Sequence, residues 1–110
     1  MIVYLLINIF LNQTIDEDKL VGIWKAEKIV YVDQQPIEFK DGEHLVWQFT
    51  QNGKCINHTH RSEANYKVEK DQVDMDGYSV TIEKLTSNQL IIRENKQFFI
   101  RRIYFARKIE

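Results

Sequence analysis

From Gly22 onward, apolar and polar residues alternate in short runs separated by turn-forming residues. Successive side chains of a strand point to opposite faces, so each alternating run predicts a half-buried β-strand. Leu45, Trp47 and Phe49 alternate with Val46, Gln48 and Thr50. Ala64, Tyr66 and Val68 alternate with Asn65, Lys67 and Glu69. Tyr78, Val80 and Ile82 alternate with Ser79, Thr81 and Glu83. Further strands are predicted over Ile23 to Val32, Lys54 to His60, Val73 to Met75 and Leu90 to Glu94. A last one spans Gln97 to Lys108, paired with Leu90 to Glu94 around Asn95-Lys96.

The punctuation agrees with the pattern. Asp33-Gln34-Gln35-Pro36, Lys40-Asp41-Gly42, Asp76-Gly77 and Thr86 to Gln89 mark turns. Asn52-Gly53 is the strongest hairpin signal, because both residues tolerate positive φ. Before the strands, Thr14 followed by Asp16-Glu17-Asp18 reads as a hydroxyl cap with acidic residues in a first helical turn. Gly22 limits that helix to one or two turns, over Asp16 to Val21.

These elements predict an all-β fold, a small antiparallel up-and-down β-barrel of about eight strands with a short N-terminal helix. Closure removes the exposed edges that an open sheet would leave. The predicted inward set is Trp24, Trp47, Phe49, Tyr66, Val68, Val80, Ile82, Leu90 and Ile92. The last strand is apolar on both faces, with Phe98, Ile100 and Tyr104 on one and Phe99, Ile103 and Phe105 on the other. One face would then cover an open barrel end or meet a second copy, giving a homodimer through the C-terminal strand.

The first eleven residues, MIVYLLINIFL, break the pattern: no charge, one polar residue, no alternation. The run is shorter than the roughly 20 apolar residues that span a bilayer, so no membrane span is expected. Its length suits the apolar core of a secretory signal. No Lys or Arg precedes it, and no small-x-small site follows it. The expectation is a signal-peptide-like or flexible segment over residues 1–14 and a barrel domain over 15–110. Such a protein is secreted or resides in the periplasm or cell envelope. If the run is instead a buried strand or helix, it is cytoplasmic.

Composition narrows the functions. Fifteen basic against sixteen acidic residues give a net charge of −1, without the basic excess of a nucleic-acid binder. Cys55 is the only cysteine, which excludes an internal disulfide, a tetrathiolate zinc site and Cys-x-x-Cys redox chemistry. A lone cysteine is usually a small buried hydrophobe. His58 and His60 share one face of their predicted strand, with His44 as a third imidazole, but no carboxylate completes a known spacing and no metal is expected. No nucleophile and base can be read from local spacing, so neither catalysis nor a cofactor is expected.

The order of the motifs resembles the bacterial lipocalin-like domain family. Leu20-Val21-Gly22-Ile23-Trp24 follows the short helix as a Leu-x-Gly-x-Trp start. Trp47-Gln48-Phe49 precedes the Asn52-Gly53 turn. Tyr66-Lys67-Val68 and Ile82-x-x-Leu85-Thr86-x-x-x-Leu90 continue the pattern, and Tyr104-Phe105-Ala106-Arg107 closes it. The resemblance covers roughly Asp16 to Arg107. It implies that Trp24 plugs one barrel end and that a basic residue of the last strand stacks on it, with Arg107 the first candidate before Arg101 and Arg102. It also implies a site for a small hydrophobic molecule, bounded by Trp24, Trp47, Phe49, Tyr66, Tyr78 and Arg107. The chain has no room for the C-terminal helix of longer lipocalins. A barrel this small can also be filled by its own side chains. The other expectation is therefore a structural or protein-interaction barrel with a filled core and no small-molecule ligand.

Overall fold

The structure, a computed structural model, describes residues 15–31, 37–38, 45–96 and 100–108. The 1–14 segment, His44, Phe98 and Phe99, on which parts of the sequence reading fall, lie outside the described residues.

Among the described residues the first element is a helical turn, α1 (Glu17–Leu20). Asp16 caps it, its side chain accepting from the Asp18 N–H, and Glu17 and Asp18 sit where the helix dipole favours negative charge. Nine strand segments follow among the described residues: β1 (Gly22–Tyr31), β2 (Ile37–Glu38), β3 (Val46–Phe49), β4 (Lys54–Asn57), β5 (Ser62–Glu69), β6 (Gln72–Met75), β7 (Tyr78–Leu85), β8 (Gln89–Asn95) and β9 (Ile100–Arg107). From β3 to β9 each strand pairs antiparallel with the next, and β9 returns to pair with β1, closing the sheet. On its other edge β1 pairs with β3 through Gly22 to Lys25 and with β2 through Lys28 and Ile29. β2 and β3 thus share one edge of β1 in the same direction and act as one stave. The nine segments make an eight-stranded antiparallel barrel, as the alternation predicts.

Two β-bulges set which residues face inward. On β1, Ala26 pairs with Phe105 and Lys28 with Tyr104, leaving Glu27 as an extra residue. The inward parity shifts there, from Trp24 and Ala26 to Ile29. On β7 the register shifts between Ile82 and Lys84, so Val80 and Ile82 point inward before the bulge and Leu85 packs on the core after it.

The predicted inward residues all join the core, Tyr66 and Val68 as partly buried neighbours. Leu20, Ala26, Ile29, Cys55, Val73, Met75, Ile103 and Phe105 complete it. The ambiguity of the last strand is resolved within its described residues: Ile103 and Phe105 are fully buried, whereas Ile100 is exposed. Both edges of β9 are occupied, so only its outer face remains for a second copy. The expected Lys54–His60 strand is shorter than predicted. β4 ends at Asn57, whose side-chain oxygen accepts from the Thr59 and His60 N–H groups and folds the chain into a turn. His58 and His60 therefore sit in that turn and not on one strand face.

Candidate functional site

The two barrel ends differ. One carries α1 and the β3–β4, β5–β6 and β7–β8 turns, with the Ile15 N–H bound to the Lys70 carbonyl. It is sealed. Trp24 is fully buried and its Nε1 donates to the Leu20 carbonyl at 2.8 Å. The Arg107 guanidinium lies 4.2 Å from the Trp24 ring centroid. It donates to three backbone carbonyls, through Nη1 to Val21 at 2.8 Å, through Nη2 to Lys19 and through Nε to Ser87. Arg107 is the basic residue on Trp24, as the resemblance implies.

A layer of aromatic rings lies above this seal. Trp47 meets Phe105 with centroids 5.3 Å apart, Phe49 lies edge-on to Trp47, and Tyr66 stands at 88° to Phe49. The Tyr66 hydroxyl donates to the Thr50 carbonyl at 2.9 Å. Burial, then the Glu17 carboxylate, pushes the Tyr66 pKa above its ordinary value.

Beyond the rings the barrel opens into a cavity of about 680 Å³, within the range of small-molecule sites. Ile29, Leu45, Trp47, Cys55, Met75 and Tyr78 supply its apolar wall. Thr59, His60, Ser62 and Glu63 of the β4–β5 region and Asp76 of the β6–β7 turn stand at its mouth. The Tyr78 ring is also approached by the Lys96 ammonium, 3.5 Å from its centroid. Burial pushes the Cys55 thiol up to about 12, so it stays protonated and unreactive at neutral pH.

One polar row crosses the wall. Glu94 on β8 lies opposite Arg101 on β9, and Arg101 lies opposite Tyr31 on β1. Glu94 is 2 % exposed. Its Oε1 accepts from Arg101 Nε, and Arg101 Nη1 donates to the Tyr31 hydroxyl at 3.1 Å. Burial lowers the Arg101 pKa, but Glu94 and Tyr31 outweigh it, so the guanidinium stays charged. A carboxylate this deep is tolerated because it is paired; alone it would carry a large desolvation penalty. The second carboxylate oxygen of Glu94 has no hydrogen-bond donor among the described residues, and Trp47 Nε1 is buried without an acceptor among them.

Of the expected site residues, Trp47 and Tyr78 line the cavity. Trp24 and Arg107 belong to the seal at the opposite end, and Phe49 and Tyr66 to the ring layer between. The structure does not bring the six together. Glu94 and Arg101 were not expected in the site. Both carried a readable signal: Glu94 continues the inward parity of Leu90 and Ile92, and Arg101 that of Ile103 and Phe105. Of the three histidines, His60 stands at the mouth and His58 Nε2 lies 2.8 Å from Gln48 Oε1. Among the described residues no three His, Cys, Asp or Glu side chains are grouped to hold a metal ion.

No protein-family model matches the chain, and no curated protein matches it. Solved structures do. A lipocalin-like protein from Bacteroides uniformis superposes with a TM-score of 0.59 at 13 % identity, over 82 % of this chain and 99 % of that one. An uncharacterised protein from Bacteroides eggerthii superposes with a TM-score of 0.59 at 14 % identity, over 81 % and 99 %. At these identities the likeness is one of fold, and the resemblance to lipocalin-like bacterial proteins holds at that level.

Proposed function

We propose that this lipocalin-like barrel is a binding protein that admits a small, largely apolar molecule through its open end, in the cell envelope or outside the cell. The observation that carries the reading is the cavity of about 680 Å³, floored by Trp47 and walled mainly by apolar side chains. A barrel this small could have been filled by its own core. Here the core fills one end and stops at the ring layer. One fold hosts many functions, so the fold likeness adds only that such a barrel can be built around a pocket. Catalysis is not part of this reading, because the one cysteine at the cavity is held protonated and no activated nucleophile stands beside it among the described residues. The export reading rests on the uncharged apolar run Met1 to Leu11. N-terminal sequencing of the protein from its host tests that part, a mature start near residue 15 being the expected result.

The binding reading is tested by native mass spectrometry of the full chain before and after organic extraction. The expected result is a reproducible extra mass that extraction removes. A bare chain mass, together with no uptake of any small apolar probe, would sink it.

A further inference from the structure

We propose that the molecule this barrel admits carries a neutral hydrogen-bond donor, a hydroxyl or an amide N–H, that docks on the second carboxylate oxygen of Glu94. Fatty carboxylates are rejected by the same site. The inference rests on the binding function above and names the chemical class of the ligand.

The wall chemistry sets this class. Glu94 points into the cavity from β8, on the parity of the buried Leu90 and Ile92. One oxygen is engaged by Arg101, and the other accepts no hydrogen bond among the described residues. An apolar ligand that fills the cavity strips this oxygen of water, and a carboxylate left there without a donor is costly. A ligand that supplies a donor avoids that cost, which makes this oxygen a polar recognition point on the wall.

Charge decides which donor. Arg101 already neutralises Glu94, and burying a further unpaired ion is disfavoured. A neutral donor answers the oxygen without that penalty. An anionic head group fares worst. Besides Glu94, it would pass Glu63 and Asp76 at the mouth. The Arg101 guanidinium is held by Glu94 and Tyr31 and so is not arranged to receive it.

The test uses three probes of matched size on the full chain at neutral pH: 1-octanol, its isomer heptyl methyl ether, and octanoate. Binding is read by calorimetry. Octanol and the ether share one formula, so they differ chiefly in the donor. Octanol is expected to bind about tenfold more tightly than either of the others. In Glu94→Gln the amide oxygen can keep the Arg101 bond while an NH₂ replaces the second oxygen. The preference for octanol over the ether is then expected to shrink to about threefold or less. An ether or octanoate that binds as well as octanol overturns the inference while leaving the cavity in use. A folded Glu94→Gln that keeps the full preference overturns it too. If none of the three probes binds, the binding function falls and this inference with it. Should Glu94→Gln fail to fold, the wild-type comparison of the two isomers decides alone.

Discussion

The Arg107 guanidinium sits 4.2 Å from the centroid of the Trp24 ring while donating to carbonyls of α1, the following residue Val21 and the β7–β8 turn. It ties the last strand to the start of the chain and covers the largest buried side chain. A lysine offers one flexible ammonium and cannot reproduce a planar fork that stacks and donates in three directions. Arg107→Lys should therefore behave nearly as Arg107→Ala, each destabilising by about 2–4 kcal/mol in urea unfolding. A lysine variant within about 0.5 kcal/mol of wild type would show that only the charge matters.

Gly22 stands directly beneath that guanidinium. Its φ is +144°, and a Cβ built on it would lie 2.1 Å from Arg107 Nη1. The glycine of the Leu-x-Gly-x-Trp start is thus required by the arginine as well as by its own backbone. Gly22→Ala should cost about 1–3 kcal/mol. The double mutant with Arg107→Ala should cost clearly less than the sum of the two single costs, because Gly22→Ala already displaces the guanidinium. Strict additivity would mean the glycine serves its backbone alone.

The barrel was legible in the sequence because alternation and turn residues report directly on half-buried strands. Asn52-Gly53 gave its hairpin, with Gly53 at φ +84°. The Arg107–Trp24 pair was legible only through resemblance, since the partners lie at opposite ends of the domain. The bulges at Glu27 and Glu83 leave no mark in the sequence, and they decide which parity faces in along β1 and β7. The site was the least legible part. Trp24, Phe49 and Tyr66 look like Trp47 as aromatic strand residues, and only their height along the barrel separates filled core from cavity wall. Glu94 and Arg101 read as solvated charges until each is placed on the inward face of its strand.

The two tryptophans separate the two ends spectroscopically. Trp47 borders the cavity and Trp24 lies under Arg107. Octanol should shift the emission of a Trp24→Phe variant, which reports Trp47, and leave that of Trp47→Phe unchanged. A response from Trp24 alone would move the ligand to the sealed end. As a stability control, Trp24→Ala should cost about 3–5 kcal/mol, the range for a large aromatic removed from a filled core. A loss below about 1 kcal/mol would mean that this end is not packed as described.

Cys55 gives the last prediction, in alkaline solution. Burial raises its pKa from 9.0 to about 12 in the folded chain, whereas the unfolded chain titrates near the ordinary value. Above pH 9 the unfolded state therefore holds fewer protons than the native state, and stability falls as pH rises. The contribution is fully present below pH 9.0 and is lost progressively towards about 12. The raised Tyr66 phenol adds a loss of the same sign above its ordinary value of 10.0. Urea unfolding across this range should show the decline, and Cys55→Ala should make it shallower even though the variant starts less stable from lost packing. The same burial predicts slow reaction of native Cys55 with a thiol reagent at pH 8, slower still with octanol in the cavity, and fast reaction once unfolded. If octanol leaves that rate unchanged while binding, the ligand does not contact the wall that Cys55 shares with Trp47.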